Sequence, residues 1–136
     1  MFDPPENQLY ANIGTDQINT PDHQALALQA ARESIVLLQN DGALPLDMSK
    51  KVALIGPNAN ATNTMQGNYK GTAPYLISPL EGLQKIGASV TYVQGCDVKC
   101  ASDSGFADAV NAAKAADVVV VVIGLDEGQE RSVLYS

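Results

Sequence analysis

Positive charge is scarce in this sequence: eight Lys and Arg stand against fifteen Asp and Glu, for a formal net charge of −7. A chain of that sign repels a polyanion on average, which argues against nucleic acid as a partner. Long apolar runs are missing too. The longest, Val118 to Ile123, has six residues and would cross only a fraction of a bilayer, so no membrane span is expected. The opening stretch "MFDPPENQLY" has neither a basic segment nor an apolar one, and as written it cannot act as a secretory signal. That leaves an intracellular protein, or one whose true start lies upstream.

Histidine and cysteine are nearly absent. The single histidine, His23, falls in the first turn of an expected helix and reads as a surface residue, and Ser, His and Asp have no spacing that suggests a triad. Two cysteines without histidine support are too few to ligate a metal, so no metal site is expected. A disulfide between Cys96 and Cys100 and a pair of free thiols both stay open. "VALIGPNAN" is a strand entering a glycine-initiated loop, yet it lacks the further glycines of a dinucleotide fingerprint and the Gly-Lys-Ser/Thr of a P-loop. Nucleotide binding is therefore a weak reading, and no cofactor is expected.

What is present is apolar content of 46% in 136 residues, enough for one domain with a core. Residues 1–19 are rich in Pro, Asn, Asp and Gly and read as a linker or lead-in. A helix is then expected from Thr20 as N-cap and Pro21 at the first position, stopped by "NDG" at 40–42, with Ala27, Ala31, Ile35 and Leu38 forming one apolar stripe. Val52 to Ile55 is a continuous apolar run of the kind buried on both faces of a sheet. A polar stretch of about eighteen residues follows, "NANATNTMQGNYKGTAPY", and loops that long are usually functional or mobile. "SPLEGLQKIG" repeats the capped-helix pattern, with Ser78 as N-cap, Glu81 at N3 and Gly87 at the end. "SVTYVQG" is the second strand, "GFADAVNAAKAAD" the third helix and "VVVVVIG" the third strand. This alternation predicts an α/β fold with a parallel sheet covered on both faces.

In such a sheet the segments after the strands leave from one edge, where ligands bind. They begin at Gly56, Gly95 and Gly124. The first carries Asn58, Asn60, Asn63, Gln66, Asn68 and Tyr69; the third carries Asp126, Glu127, Glu130 and Arg131. Amides beside carboxylates both donate and accept hydrogen bonds and suit a polyhydroxylated ligand, a sugar rather than a nucleotide. The plainer alternative is that Asn is common in loops because it tolerates turn geometry, and that an acidic chain end is simply solvated. "NAT" at Asn60 is an N-glycosylation acceptor and leans toward the secretory route.

The strings "MFDPPENQLYANIG", "HQALALQAARESIVLLQNDGALPL", "KKVALIGPNANATNTMQGNYKGTAPYLISPLEGL", "VTYVQGC" and "ADVVVVVIGLDEGQER" together resemble glycoside hydrolase family 3, in its β-D-xylosidase and arabinofuranosidase branch. The resemblance covers nearly the whole chain to Arg131. It implies a retaining exo-glycosidase of the secretory route or cell exterior, built from a (β/α)8 barrel, a linker and a three-layer α/β sandwich with a mainly parallel sheet. Residues 1–19 would be the interdomain linker and 20–136 the front part of the sandwich. The nucleophilic aspartate belongs to the barrel, which is expected N-terminal to this chain. Glu130 in "DEGQER" matches the acid/base glutamate, and Gln66, Asn68 and Tyr69 would lie near the cleft and bind the sugar. The expected substrate is a xylo-oligosaccharide or another β-glycoside, with this chain inactive without the barrel.

One departure stands out. After "QER" the family continues with an acidic residue, a glycine and an Asp-Arg pair, whereas this chain reads "SVLYS". The change suggests a truncated gene, an alternative transcript or retained intron sequence. It would also leave Val118 to Ile123 partly uncovered. The competing reading is a stand-alone, non-catalytic sugar-binding or interaction module that uses the amide-rich loops.

Overall fold

A computed structural model describes residues 4–67 and 69–129. The chain divides into two compact units, Met1–Ala43 and Leu44–Ser136.

In the first unit, two short 3₁₀ turns, Pro5–Asn7 and Thr15–Gln17, precede helix α1, Pro21–Ser34. The start of α1 follows the sequence signals. Thr20 is extended, and its Oγ1 accepts a hydrogen bond from the His23 N–H at 3.3 Å, satisfying one of the free donors of the first turn. The end does not follow them. The expected stripe through Ile35 and Leu38 breaks, because Ile35 is already extended at φ −83° and ψ 117°. Ser34 Oγ donates to the Ala31 carbonyl at 2.9 Å, taking the acceptor that the Ile35 N–H would use in the next turn. Ile35 and Val36 are β-branched, which adds to the preference for extended backbone. "NDG" forms a separate turn, with the Gly42 N–H donating to Asn40 Oδ1 at 3.1 Å.

The second unit is built on a sheet of three parallel strands: β1 (Lys51–Ile55), β2 (Ser89–Val93) and β3 (Val118–Val121), in the spatial order β2-β1-β3. Helices α2 (Pro79–Lys85) and α3 (Phe106–Ala115) are the crossovers. Ala53 stands opposite Thr91 on one side and Val119 on the other. The continuous apolar run of β1 thus occupies the central position, with Val52, Ala53 and Leu54 at 0–1% exposure. The chain has the α/β fold that its alternating pattern predicts.

Strand β3 is paired on one side, and Val119 and Val121 are exposed along it. It also ends at Val121, two residues before the end of the apolar run. The Val122 N–H still donates to the Ile55 carbonyl at 2.8 Å, but β1 turns away at Gly56 and offers Ile123 no further partner. At the opposite edge, Asp117 Oδ2 accepts from the Lys51 N–H and the Asp117 N–H donates to the Lys51 carbonyl, each at 2.9 Å. Among the described residues, no helix is long and apolar enough to cross a membrane.

Helix α2 is capped as expected. Ser78 is 2% exposed; its Oγ accepts from the Glu81 N–H at 3.2 Å and donates to Asn60 Oδ1 at 3.3 Å. One hydroxyl therefore closes the helix and ties the loop after β1 to it. Ser78→Ala should lower unfolding stability by about 1–2 kcal/mol, the upper part of the usual range for a lost cap, read as a reduced denaturant midpoint at unchanged slope. An unchanged midpoint would remove the cap from the account.

Two ionisable groups among the described residues of this unit carry displaced pKa values. Side-chain and backbone hydrogen bonds from Ser49 hold the Asp47 carboxyl below its ordinary range. A lowered folded pKa contributes stability that is present above about pH 4 and lost as pH falls through the lower folded value. Burial pushes the Tyr92 phenol up.

Candidate active site

With the order β2-β1-β3, the chain leaves β1 toward one side of the sheet and returns as β3 on the other. The crevice outside the carboxyl ends of β1 and β3 is the topological switch point, where open α/β sheets bind ligands. Gly56 has φ +128° and ψ 155°, and a Cβ there would collide with the Val122 carbonyl oxygen. It is required both by backbone angle and by the close approach of β3. Gly124 does not adopt a left-handed conformation; its Cβ would instead sit 2.9 Å from Asn58 Nδ2. At that position neither backbone angle nor a fixed neighbour requires glycine, because the atom met is the end of a side chain.

One wall of the crevice is the 3₁₀ turn Pro57–Asn60. Ala59 is fully buried and anchors it, with its N–H donating to the Gly56 carbonyl at 3.3 Å. Asn58 is half-buried, and its Oδ1 is enclosed without a hydrogen-bond partner among the described residues. Asn60 is exposed, with Oδ1 taken by Ser78.

The other wall is the segment after β3, which the sequence presents as an acidic patch. Asp126 closes a turn: its Oδ1 accepts from the Gly128 N–H at 2.7 Å and its carbonyl from the Gln129 N–H at 3.0 Å. Gln129 Oε1 accepts in return from the Asp126 N–H at 3.1 Å. This carboxylate is a structural turn former. Glu127 is exposed. Glu130 and Arg131 lie outside the described residues, as does Asn68.

Of the other expected sugar-binding residues, Gln66 is half-buried and Tyr69 is 99% exposed. Neither has a hydrogen bond among the described residues. The third strand exit, after β2, is different in kind. Cys96 and Cys100 are joined in a disulfide with Cα atoms 5.0 Å apart, beside a cleft of about 450 Å³ lined by Gln94, Asp97, Ser102 and Ser104 among others. Three of its polar groups are engaged within their own loop: Asp97 Oδ1 accepts from the Ala101 N–H at 3.3 Å, and the Ser102 hydroxyl donates to Ser104 Oγ at 3.1 Å. Among the described residues, no group of three or more His, Cys, Asp or Glu side chains is placed to hold a metal.

The sequence places Asn58 in an amide-rich loop but cannot separate it from Asn60 or Asn63. Its burial and its meeting with Gly124 depend on strand order, and no local spacing signals them. Chemically, the crevice offers amide donors and acceptors beside a carboxylate-bearing segment. That suits binding of hydroxyl groups, and supplies at most one half of a two-carboxylate reaction.

Residues 35–134 match the glycosyl hydrolase family 3 C-terminal domain. A probable exo-1,4-beta-xylosidase of Aspergillus terreus is 45% identical over 98% of this chain, and beta-D-xylosidase 3 of Arabidopsis thaliana is 48% identical over 93%. Each match spans 17% of the relative's own length. Among solved structures, a family 3 exo-beta-xylosidase in complex with a xylobiose aziridine probe superposes with a TM-score of 0.81 at 45% identity, covering 90% of this chain and 16% of that one. A beta-glucosidase from Erythrobacter marinus superposes at 0.63 with 34% identity, covering 80% and 18%. The same fold therefore occurs in enzymes named for different sugars. The chain belongs to glycosyl hydrolase family 3, whose C-terminal domain its residues 35–134 match.

Proposed function

We propose that this chain supplies the acid/base part of a retaining, exo-acting β-xylosidase that removes terminal xylosyl residues from xylo-oligosaccharides. The observation that carries this reading is the 45% identity and 0.81 TM-score to an exo-beta-xylosidase over 90% of the chain. A retaining mechanism needs a nucleophilic carboxylate and a second carboxyl group roughly 5–5.5 Å from it. Glu130 is the second group. It protonates the glycosidic oxygen as the first bond breaks, then takes a proton from the water that releases the sugar. The first comes from a (β/α)8 barrel N-terminal to this chain, with residues 1–19 as the linker and 20–136 as the start of the sandwich domain. Gln66, Asn68 and Tyr69 bind sugar hydroxyls from the loop after β1. A cleft that closes between the two domains excludes water and raises the pKa of the acid.

The protein belongs to the secretory route or the cell exterior. The acceptor triplet at Asn60 supports this, since Asn60 is exposed and its Oδ1 is hydrogen-bonded while its Nδ2 is not, among the described residues. The test of the function is to assay the full-length protein on aryl β-xyloside, aryl β-glucoside and aryl α-arabinofuranoside, following the first-formed anomer by proton NMR. The expected result is β-xylose as the initial product and kcat/KM on the xyloside at least about tenfold above the glucoside, the discrimination that a pocket without room for the extra hydroxymethyl group provides. α-Xylose as the initial product, or a preference for glucoside, would overturn the reading.

A further inference from the structure

We infer that Asn60 is an occupied N-glycosylation site, and that its glycan stands on a face of the loop after β1 that no other part of the full-length protein covers. The inference rests on the proposed secretory route.

The sequence singles out one asparagine of this loop. Asn58, Asn63 and Asn68 have no Ser or Thr two positions on, whereas Asn60 is followed by Ala61 and Thr62, the spacing an acceptor needs with no proline between. No other such triplet occurs in the 136 residues. Asn60 and Thr62 are both exposed. They flank Ala61, which is extended at φ −101° and ψ 104° where the 3₁₀ turn ends.

Hydrogen bonding decides which end of the amide faces out. Ser78 is 2% exposed and its Oγ already accepts from the Glu81 N–H at 3.2 Å, so its hydroxyl proton needs an acceptor inside the fold. Asn60 Oδ1 provides it at 3.3 Å. The flipped amide would leave that buried proton unpaired. Oδ1 is therefore turned toward the start of α2, and Nδ2, which has no hydrogen bond among the described residues, is the end left for solvent.

In glycosylation Nδ2 bonds to the anomeric carbon of a sugar carried on a lipid-linked diphosphate. The bond from that carbon to the diphosphate breaks, Nδ2 gives up one proton, and the diphosphate leaves. Oδ1 takes no part, so the Ser78 hydrogen bond survives and the modification removes no hydrogen bond printed on the folded loop. A group as bulky as a glycan cannot be packed beneath another domain, which is why occupancy implies an uncovered face. The disulfide between Cys96 and Cys100 supports the route independently, since such bonds persist in the oxidising compartments of secreted proteins.

The test expresses the full-length protein in a eukaryotic host in two forms, one with its own N-terminus and one behind a heterologous secretory signal. Trypsin cuts after Lys51 and Lys70, and peptide 52–70 then holds Asn60 as its sole acceptor. In the signal-directed form most of this peptide should carry a glycan, and peptide-N-glycosidase should convert Asn60 to aspartate. Thr62→Ala, which leaves the Asn60 amide in place, should lose the glycan, and Thr62→Ser should keep it. An endoglycosidase should trim the glycan from the folded protein without denaturant. A bare peptide 52–70 in the signal-directed form would overturn the inference, as would a glycan retained in Thr62→Ala or one trimmed only after denaturation. Retention of the form with its own N-terminus inside the cytosol would sink the secretory reading, and the peptide from the signal-directed form would still decide whether Asn60 is a competent site.

Discussion

Glu130→Ala in the full-length protein is expected to lower kcat on xylobiose by about 10²–10⁴-fold, the usual worth of a positioned general acid or base. On the proposed acid/base role, the two chemical steps depend on Glu130 differently. Cleavage of an alkyl or sugar leaving group needs a proton on the departing oxygen; a dinitrophenyl group leaves without one. Release of the sugar needs a proton taken from water, whereas azide attacks as an anion and needs no base. The variant should therefore form the glycosyl-enzyme normally from dinitrophenyl xyloside, turn over slowly in water, and regain turnover with azide, yielding β-xylosyl azide. The basic limb of the pH profile for kcat/KM should also flatten, since that limb reports the free enzyme's acid. Retention of wild-type turnover on xylobiose, or no azide rescue, would remove Glu130 from the mechanism.

Gly56→Ala is expected to destabilise the domain by about 2–6 kcal/mol, combining a backbone conformation close to glycine-only, worth roughly 1–3 kcal/mol, with overpacking of roughly 1–3 kcal/mol. The new Cβ would meet the Val122 carbonyl, at the point where the Val122 N–H reaches the Ile55 carbonyl and the Gly56 N–H donates to the Val93 carbonyl at 3.1 Å. It cannot move aside without breaking the bonds that join all three strand ends. A domain of this size holds about 5–15 kcal/mol in total, so the variant should be recovered in low soluble yield or with a much reduced denaturant midpoint. A midpoint equal to wild type would mean that β3 does not approach β1 this closely. Gly42 provides the control: it has φ +91°, but a Cβ added there would have no atom within 4 Å to meet among the described residues, so its substitution should cost only the backbone part.

Local chemistry made much of the fold legible. Thr20 and Ser78 each precede a proline at the first helical position, and a cap needs only three or four neighbouring residues to act. The all-apolar run from Val52 to Leu54 suits a strand buried on both faces, and it is buried. Where periodicity misled, competition between local groups was the cause: Ser34 took the Ala31 carbonyl and ended α1 before the apolar stripe did. The end of β3 at Val121 was illegible for another reason. A strand lasts only as long as its neighbour, and β1 turns off at Gly56.

By itself, the sequence determined the class of fold, a strand buried on both faces, the edge from which the loops after the strands emerge, and the family to which the chain belongs. The first three follow from periodicity, capping and glycine placement, which act over a few residues and need no knowledge of the rest of the molecule. Tertiary structure alone decided that Asp126 is a turn former, that Asp97, Ser102 and Ser104 beside Cys96–Cys100 are hydrogen-bonded within their own loop, and that Asn58 lies beside Gly124. Residues 58 and 124 are far apart in the chain and carry no pattern that links them. Only the parallel pairing of β3 beside β1 brings the two loops to one edge, and only there does an ordinary loop asparagine have its side-chain oxygen enclosed.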